Sequence, residues 1–451
     1  MSAMNPLKII NDKETRKTIA ESWAVSWPMT LIMFFEFLIG LSDVYVAGKF
    51  GKEVQAGYGL AFQLYFIFII AGMALTVGAA SVLSRLFTSE NKSDFSRAVS
   101  TSIITALITG AIATFIGVFF SNAIIHHLRT PQVIKSLAAP LLAIYSLGFI
   151  FDYVLMNANA VLRAGGMIKK SLLAMTVACV INIALNFILS LGTPLGFKGI
   201  AVATIISLFI GCIISLGFAG RFITKFFDFS AVIFKKMLDI SWPSALLQIF
   251  WQTGTMVLFI ILGLLPEMKI ETMAAFTNGL KIESAIFLPA FAFNMANAVL
   301  VGNALGRKEK GQAFQRGIIT ALTGVAIVIL LTLMVVINAK NIASSLSNDP
   351  VVVDQTLKYI FIAILFEPVM AWGVILGGGL NGAGDTKVIM AIVAGCVWLV
   401  RIPLSYFLGV HMGLGATAVW WSMNISIACQ CFLITRRYFG KNWMRFSEQV
   451  V

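Results

Sequence analysis

Twelve stretches of about 20 mostly apolar residues alternate with short polar or Gly/Pro-containing separators along the chain. They begin near Ser22, Ala56, Ala98, Ser136, Ser171, Lys198, Ile240, Met273, Gly317, Thr356, Lys387 and Gly413. The hydrocarbon core of a bilayer is crossed by a helix of that length. The pattern therefore predicts an all-α integral membrane protein with twelve transmembrane helices. The separators Gly192–Gly196 and His411–Gly413 are the shortest, so the fifth/sixth and eleventh/twelfth boundaries are the least marked.

The pattern repeats. Ser26-Trp27-Pro28 opens the first span and Ser241-Trp242-Pro243 opens the seventh, 215 residues later. At the same offset Ile103–Leu107 (IITAL) matches Ile318–Leu322, and Phe151-Asp152 matches Phe366-Glu367. The turn Leu162–Gly166 (LRAGG) resembles Leu380–Gly384 (LNGAG), 218 residues on. Six spans per repeat is an even number, so both halves enter the membrane from one side as parallel repeats. The expectation is two six-helix lobes, residues 1–225 and 226–451, related by pseudo-two-fold symmetry. Folds of this type place their sites in the cleft and work by alternating access.

Composition agrees. Of 451 residues 59% are hydrophobic and 12% charged, against about 25% charged in soluble domains. A soluble enzyme, a disordered chain and a disulfide scaffold are excluded. The net charge of +13 is a topological label. Of the 33 lysines and arginines, twenty-three fall on the side of the amino terminus, eight on the other, and two, Lys281 and Arg401, inside spans. By the positive-inside rule both termini are cytoplasmic, in the plasma (inner) membrane, and no nucleic-acid partner is implied. The first apolar run is too long for a cleavable signal peptide and is read as a span. The five cysteines all lie in apolar runs without metal-ligand spacing, so buried free thiols are expected. Three histidines at span ends, and the absence of His-Glu-x-x-His, Gly-x-Ser-x-Gly or a P-loop, leave no enzyme and no ATP-driven pump to read.

Ionisable groups in lipid cost about 2.5–3.5 kcal/mol each at mid-membrane and mark function. They are Glu36 and Asp43 in the first span, Asp152 in the fourth, Lys281 and Glu283 in the eighth, Glu367 in the tenth and Arg401 in the eleventh. Glu36 and Asp43 are two helical turns apart on one face. Asn182 and Asn186 of the fifth span share a face, and Thr204 falls early in the sixth. Carboxylate and amide oxygens of this kind suit a sodium or proton site, though amides also bridge membrane helices routinely. The carboxy-terminal half differs. Gln248, Gln252 and Thr255 form a polar stripe, and Leu258 stands at the place of Asp43. Asp152 and Glu367 are repeat-equivalent, which suggests a shared packing role. Trp251 is one of several tryptophans that would suit a pocket for flat organic cations; membrane-interface placement is the commoner use.

Pro28 early in the first span with Asp43 near its end, Gly48-Lys-Phe-Gly51 after it, Val301–Gly306 (VGNALG) after the eighth span and Leu380–Thr386 (LNGAGDT) before the eleventh resemble the multidrug and toxic compound extrusion (MATE) family over essentially the whole chain. The resemblance implies an antiporter that exports amphipathic, often cationic compounds against H+ or Na+, with a cation site of Asp43, Asn182, Asn186 and Thr204. Glu36 is added to that set by its depth in the first span. Many similar prokaryotic members carry an acid where Asn186 stands, which lowers the charge expected of the site here. Gln248, Gln252, Trp251, Glu283 and Glu367 are expected to line the substrate cavity. No cofactor and no metal are expected beyond the coupling ion, with Na+ at Asp43 and Asn182. Small organic substrates and membrane lipids are the expected partners of a monomer. A lipid-linked oligosaccharide flippase of the same superfamily is the alternative.

Overall fold

A computed structural model describes residues 13–89, 92–127, 130–224, 228–347 and 349–444. Of the basic residues in the topological count, Lys8, Arg129, Lys225 and Arg445 lie outside the described residues. The described chain is helical throughout, without strands. Among the described residues eleven helices are long and apolar enough to cross a membrane, and the pair Gln132–Leu147 and Phe149–Ala164, bent by 48°, makes twelve when it is taken as one span. The order of spans is the one the apolar pattern predicts, including both weakly marked boundaries. The helices overrun the apolar runs at their ends: the first begins at Lys13 and the seventh at Ala231. An eight-residue helix, Ala339–Leu346, between the ninth and tenth spans has no counterpart in the apolar pattern, being too short to register.

The described residues fall into two compact units, those within 31–245 and those within 1–30 and 246–451. Their boundaries, after Thr30 and after Ala245, are themselves 215 residues apart. Each lies two residues beyond a proline inside a long helix, Pro28 and Pro243. Proline removes an i→i−4 hydrogen bond and kinks a helix, so each repeat changes unit where its opening helix is weakest.

Unit 31–245 packs around Tyr145, Phe149, Tyr153 and the small residues Ala61, Ala106, Ala138 and Ala201. The other packs around Phe276, Phe293, Tyr359, Trp420 and Tyr438. The turns after the fourth and tenth spans reverse at Gly166 (φ +74°) and Gly384 (φ +85°), a left-handed geometry that favours glycine. Cys179, Cys212 and Cys396 are buried and free, whereas Cys429 and Cys431 are free but half-buried, which corrects the expectation that all five are buried.

Candidate functional site

In unit 31–245, Asp43 sits near the end of the first span and is 3% exposed, not solvated at a helix end. Asn186 donates from Nδ2 to Asp43 Oδ1 at 2.7 Å and to Ser42 Oγ at 3.2 Å. The Tyr58 hydroxyl of the second span reaches the same carboxylate. One turn away on the fifth span, Asn182 donates to Thr204 Oγ1 and Ser207 Oγ, each at 3.3 Å. Glycine brings the fifth and sixth spans this close, since a Cβ on Gly199 would meet the Leu189 carbonyl carbon and the Ser190 nitrogen at 2.7 Å. Asn182 Oδ1 and Asn186 Oδ1 are buried without a hydrogen-bond partner among the described residues. An orphaned buried acceptor costs about 1–3 kcal/mol. One carboxylate and two unpartnered amide oxygens make a donor set for a proton or a small hard cation.

Glu36 does not join this group. It is exposed along the helix, within electrostatic reach of Asp152 and Arg163. Asp152 is 6% exposed and accepts from the Tyr65 hydroxyl at 2.5 Å. It follows the break at Gly148 in the bent fourth span. Its repeat-equivalent Glu367, 3% exposed, likewise opens a helix after an interruption, the 3-10 turn Ile364–Phe366.

In the other unit Glu283 accepts from the Tyr359 hydroxyl. Gly279 makes the room: a Cβ there would lie 2.2 Å from the Tyr359 ring. Tyr359 packs edge-on against the buried Trp420, with ring centroids 4.8 Å apart. Glu283 and Glu367 interact electrostatically. Arg401, 4% exposed, holds its guanidinium carbon 5.1 Å from the Trp251 ring centroid. It ends a π-helical turn, Cys396–Arg401, just before Pro403; such turns widen a helix where proline breaks its bonding and often mark functional positions. Gln248 is half-buried and Gln252 exposed on the helix that carries Trp251, and Lys281 is exposed rather than paired with Glu283.

The tyrosines were not expected. Tyr58, Tyr65 and Tyr359 each reach a carboxylate. The signal was present, because a phenol in an apolar span needs an acceptor and in-span carboxylates are few. Ser42 and Ser207 escaped notice as ordinary small residues.

The MatE family model matches residues 28–188 and again 243–407, two segments whose starts differ by the repeat offset of 215. The chain belongs to the MatE family. The relatives of this MatE protein include an uncharacterized transporter, YisQ, of Bacillus subtilis, 22% identical over 94% of each chain. They also include the probable multidrug resistance protein NorM of Thermotoga maritima, 24% identical over 90% of this chain and 89% of that one. Among solved structures it is similar to the Vibrio cholerae MATE transporter VcmN in its bent form (TM-score 0.88, 19% identity, 97% and 100% covered). It is also similar to a MOP-superfamily transporter of Pyrococcus furiosus described as having a binding pocket of reverse polarity (TM-score 0.86, 18% identity, 99% of each chain). These likenesses establish the two-lobed transporter fold, and MatE proteins are transport proteins.

Proposed function

We propose that this MatE protein is a multidrug exporter of the plasma membrane, with cytoplasmic termini, that exchanges an external H+ or Na+ for amphipathic, often cationic compounds. The observation that carries the reading is the buried Asp43 carboxylate bonded to Asn186 beside two unpartnered amide oxygens. While Asp43 is ionised and vacant, the Asn186 NH2 group is its counterpart. A sodium ion there calls for oxygen ligands, so the amide turns to present Oδ1; a proton instead removes the charge that holds the NH2. Either event loosens the fifth span from the first and couples ion occupancy to helix position. Asn182 and Thr204 extend the oxygen set, and Glu283, Glu367, Trp251, Gln248 and Gln252 face the substrate in the other lobe.

One charge crossing 100 mV releases about 2.3 kcal/mol, which supports roughly 50-fold accumulation at about 1.4 kcal/mol per tenfold. The multidrug names of the relatives favour drug export over oligosaccharide flipping. Dye efflux from everted vesicles, with sodium and pH gradients imposed separately, tests the reading: one gradient should drive efflux, and efflux driven by neither contradicts it.

A further inference from the structure

The 215-residue offset holds up to the fourth span and pairs Asp43 with Leu258 and Glu36 with Trp251; past that span the offset is 218, which pairs Asn186 with Leu404 and puts Arg401 three residues before it in the equivalent span. In the amino-terminal repeat the fifth span holds a neutral amide, Asn186, bonded to the Asp43 carboxylate. In the carboxy-terminal repeat leucines stand at both places, Leu404 and Leu258, and the equivalent span carries Arg401 about one turn before Leu404. A guanidinium cannot give up its charge in a protein, so this place is permanently cationic.

Its surroundings match that charge. Arg401 is 4% exposed, and the groups facing it are Glu283 of the eighth span, Tyr359 of the tenth, Cys396 of its own π-helical turn and the Trp251 ring of the seventh. Glu367 faces Glu283 in turn. Nε and Nη2 of Arg401 have no hydrogen-bond partner among the described residues. The guanidinium is held by charge and by the aromatic face, as a bound cation would be, and not by a bidentate clamp.

We propose that Arg401 is a tethered cation. It supplies to Glu283 the positive charge that the coupling ion supplies to Asp43 in the other repeat, so Glu283 stays compensated through the cycle and ion coupling is confined to Asp43. This rests on the reading of Asp43 as the coupling carboxylate. Arg401 is a positioning residue: it acts through Glu283, and its removal opens a vacancy that a free cation or a proton fills.

The test is thermal unfolding of the purified full-length protein in a sodium chloride series, a potassium chloride control and a pH series. D43N should lose the ion response of the wild type. D43N/R401Q should regain one, a rise of about 3 °C in Tm, and adding E283Q should abolish it. R401K, which keeps the charge, should give no new response. The proposal is overturned if D43N/R401Q shows no ion response, or if D43N with Arg401 intact keeps a response that E283Q removes. Should R401Q fail to fold, R401Q/E283Q should fold, because neutralising both partners leaves neither without its counter-charge; its failure to fold also overturns the proposal. A D43N protein that keeps the wild-type response independently of Glu283 contradicts the Asp43 reading instead, and the R401Q and E283Q responses still decide the tethered cation.

Discussion

The two repeats begin from the same six-helix plan and bury different charges. Each holds a repeat-equivalent carboxylate, Asp152 or Glu367, just after a break in its fourth helix. Each sets beside it a second acid that in turn faces an arginine, with a tyrosine bonded to one of the two acids: Glu36, Arg163 and Tyr65 in one, Glu283, Arg401 and Tyr359 in the other. None of these partners is repeat-equivalent to its counterpart. The shared carboxylate is thus an inherited feature, and each lobe has met its electrostatic demand anew. What separates the lobes is Asp43, which has no acidic twin, and Arg401, which has no basic one. A buried acid without a fixed counter-charge can respond to an ion; a buried acid with an arginine at hand is already answered.

The comparison breaks most visibly at Asp43. D43N should lower gradient-driven dye efflux more than tenfold, and intact efflux in that variant refutes the assignment. Next, Asn186→Ala removes the 2.7 Å bond that holds the ionised, vacant Asp43 and should lower the proton concentration for half-maximal efflux by about tenfold or more, the equivalent of a hydrogen bond to a charged group. Gly279→Ala places a methyl group against Tyr359 and should destabilise by about 1–3 kcal/mol, read as a lowered Tm with the ion dependence of efflux unchanged. Tyr65→Phe removes one bond to Asp152, should cost about 1 kcal/mol, and should leave the ion dependence unchanged too.

The spans were legible because lipid enforces length and hydropathy, and the duplication because four landmarks keep one order at nearly one offset. Asp43, Asn182, Asn186 and Thr204 were legible as polar residues in apolar helices. That Asn186 touches Asp43 was not, since a contact between the first and fifth spans depends on how the helices pack. Glu36 was misplaced for the same reason: seven residues put it on the face of Asp43 but about 10 Å along the axis, among Asp152 and Arg163. The role of Arg401 was hidden by the π-helical turn at Pro403, which shifts side chains off the helical register.

The central claim is that the coupling ion is counted at Asp43 and not at Glu283. Proteoliposomes loaded with a transported dye measure this directly through the ratio of ions entering to dye molecules leaving. The account predicts that D43N abolishes the ion flux that accompanies dye and that E283Q keeps the wild-type ratio whatever happens to the rate. A normal ratio in D43N, together with a lost one in E283Q, would contradict it.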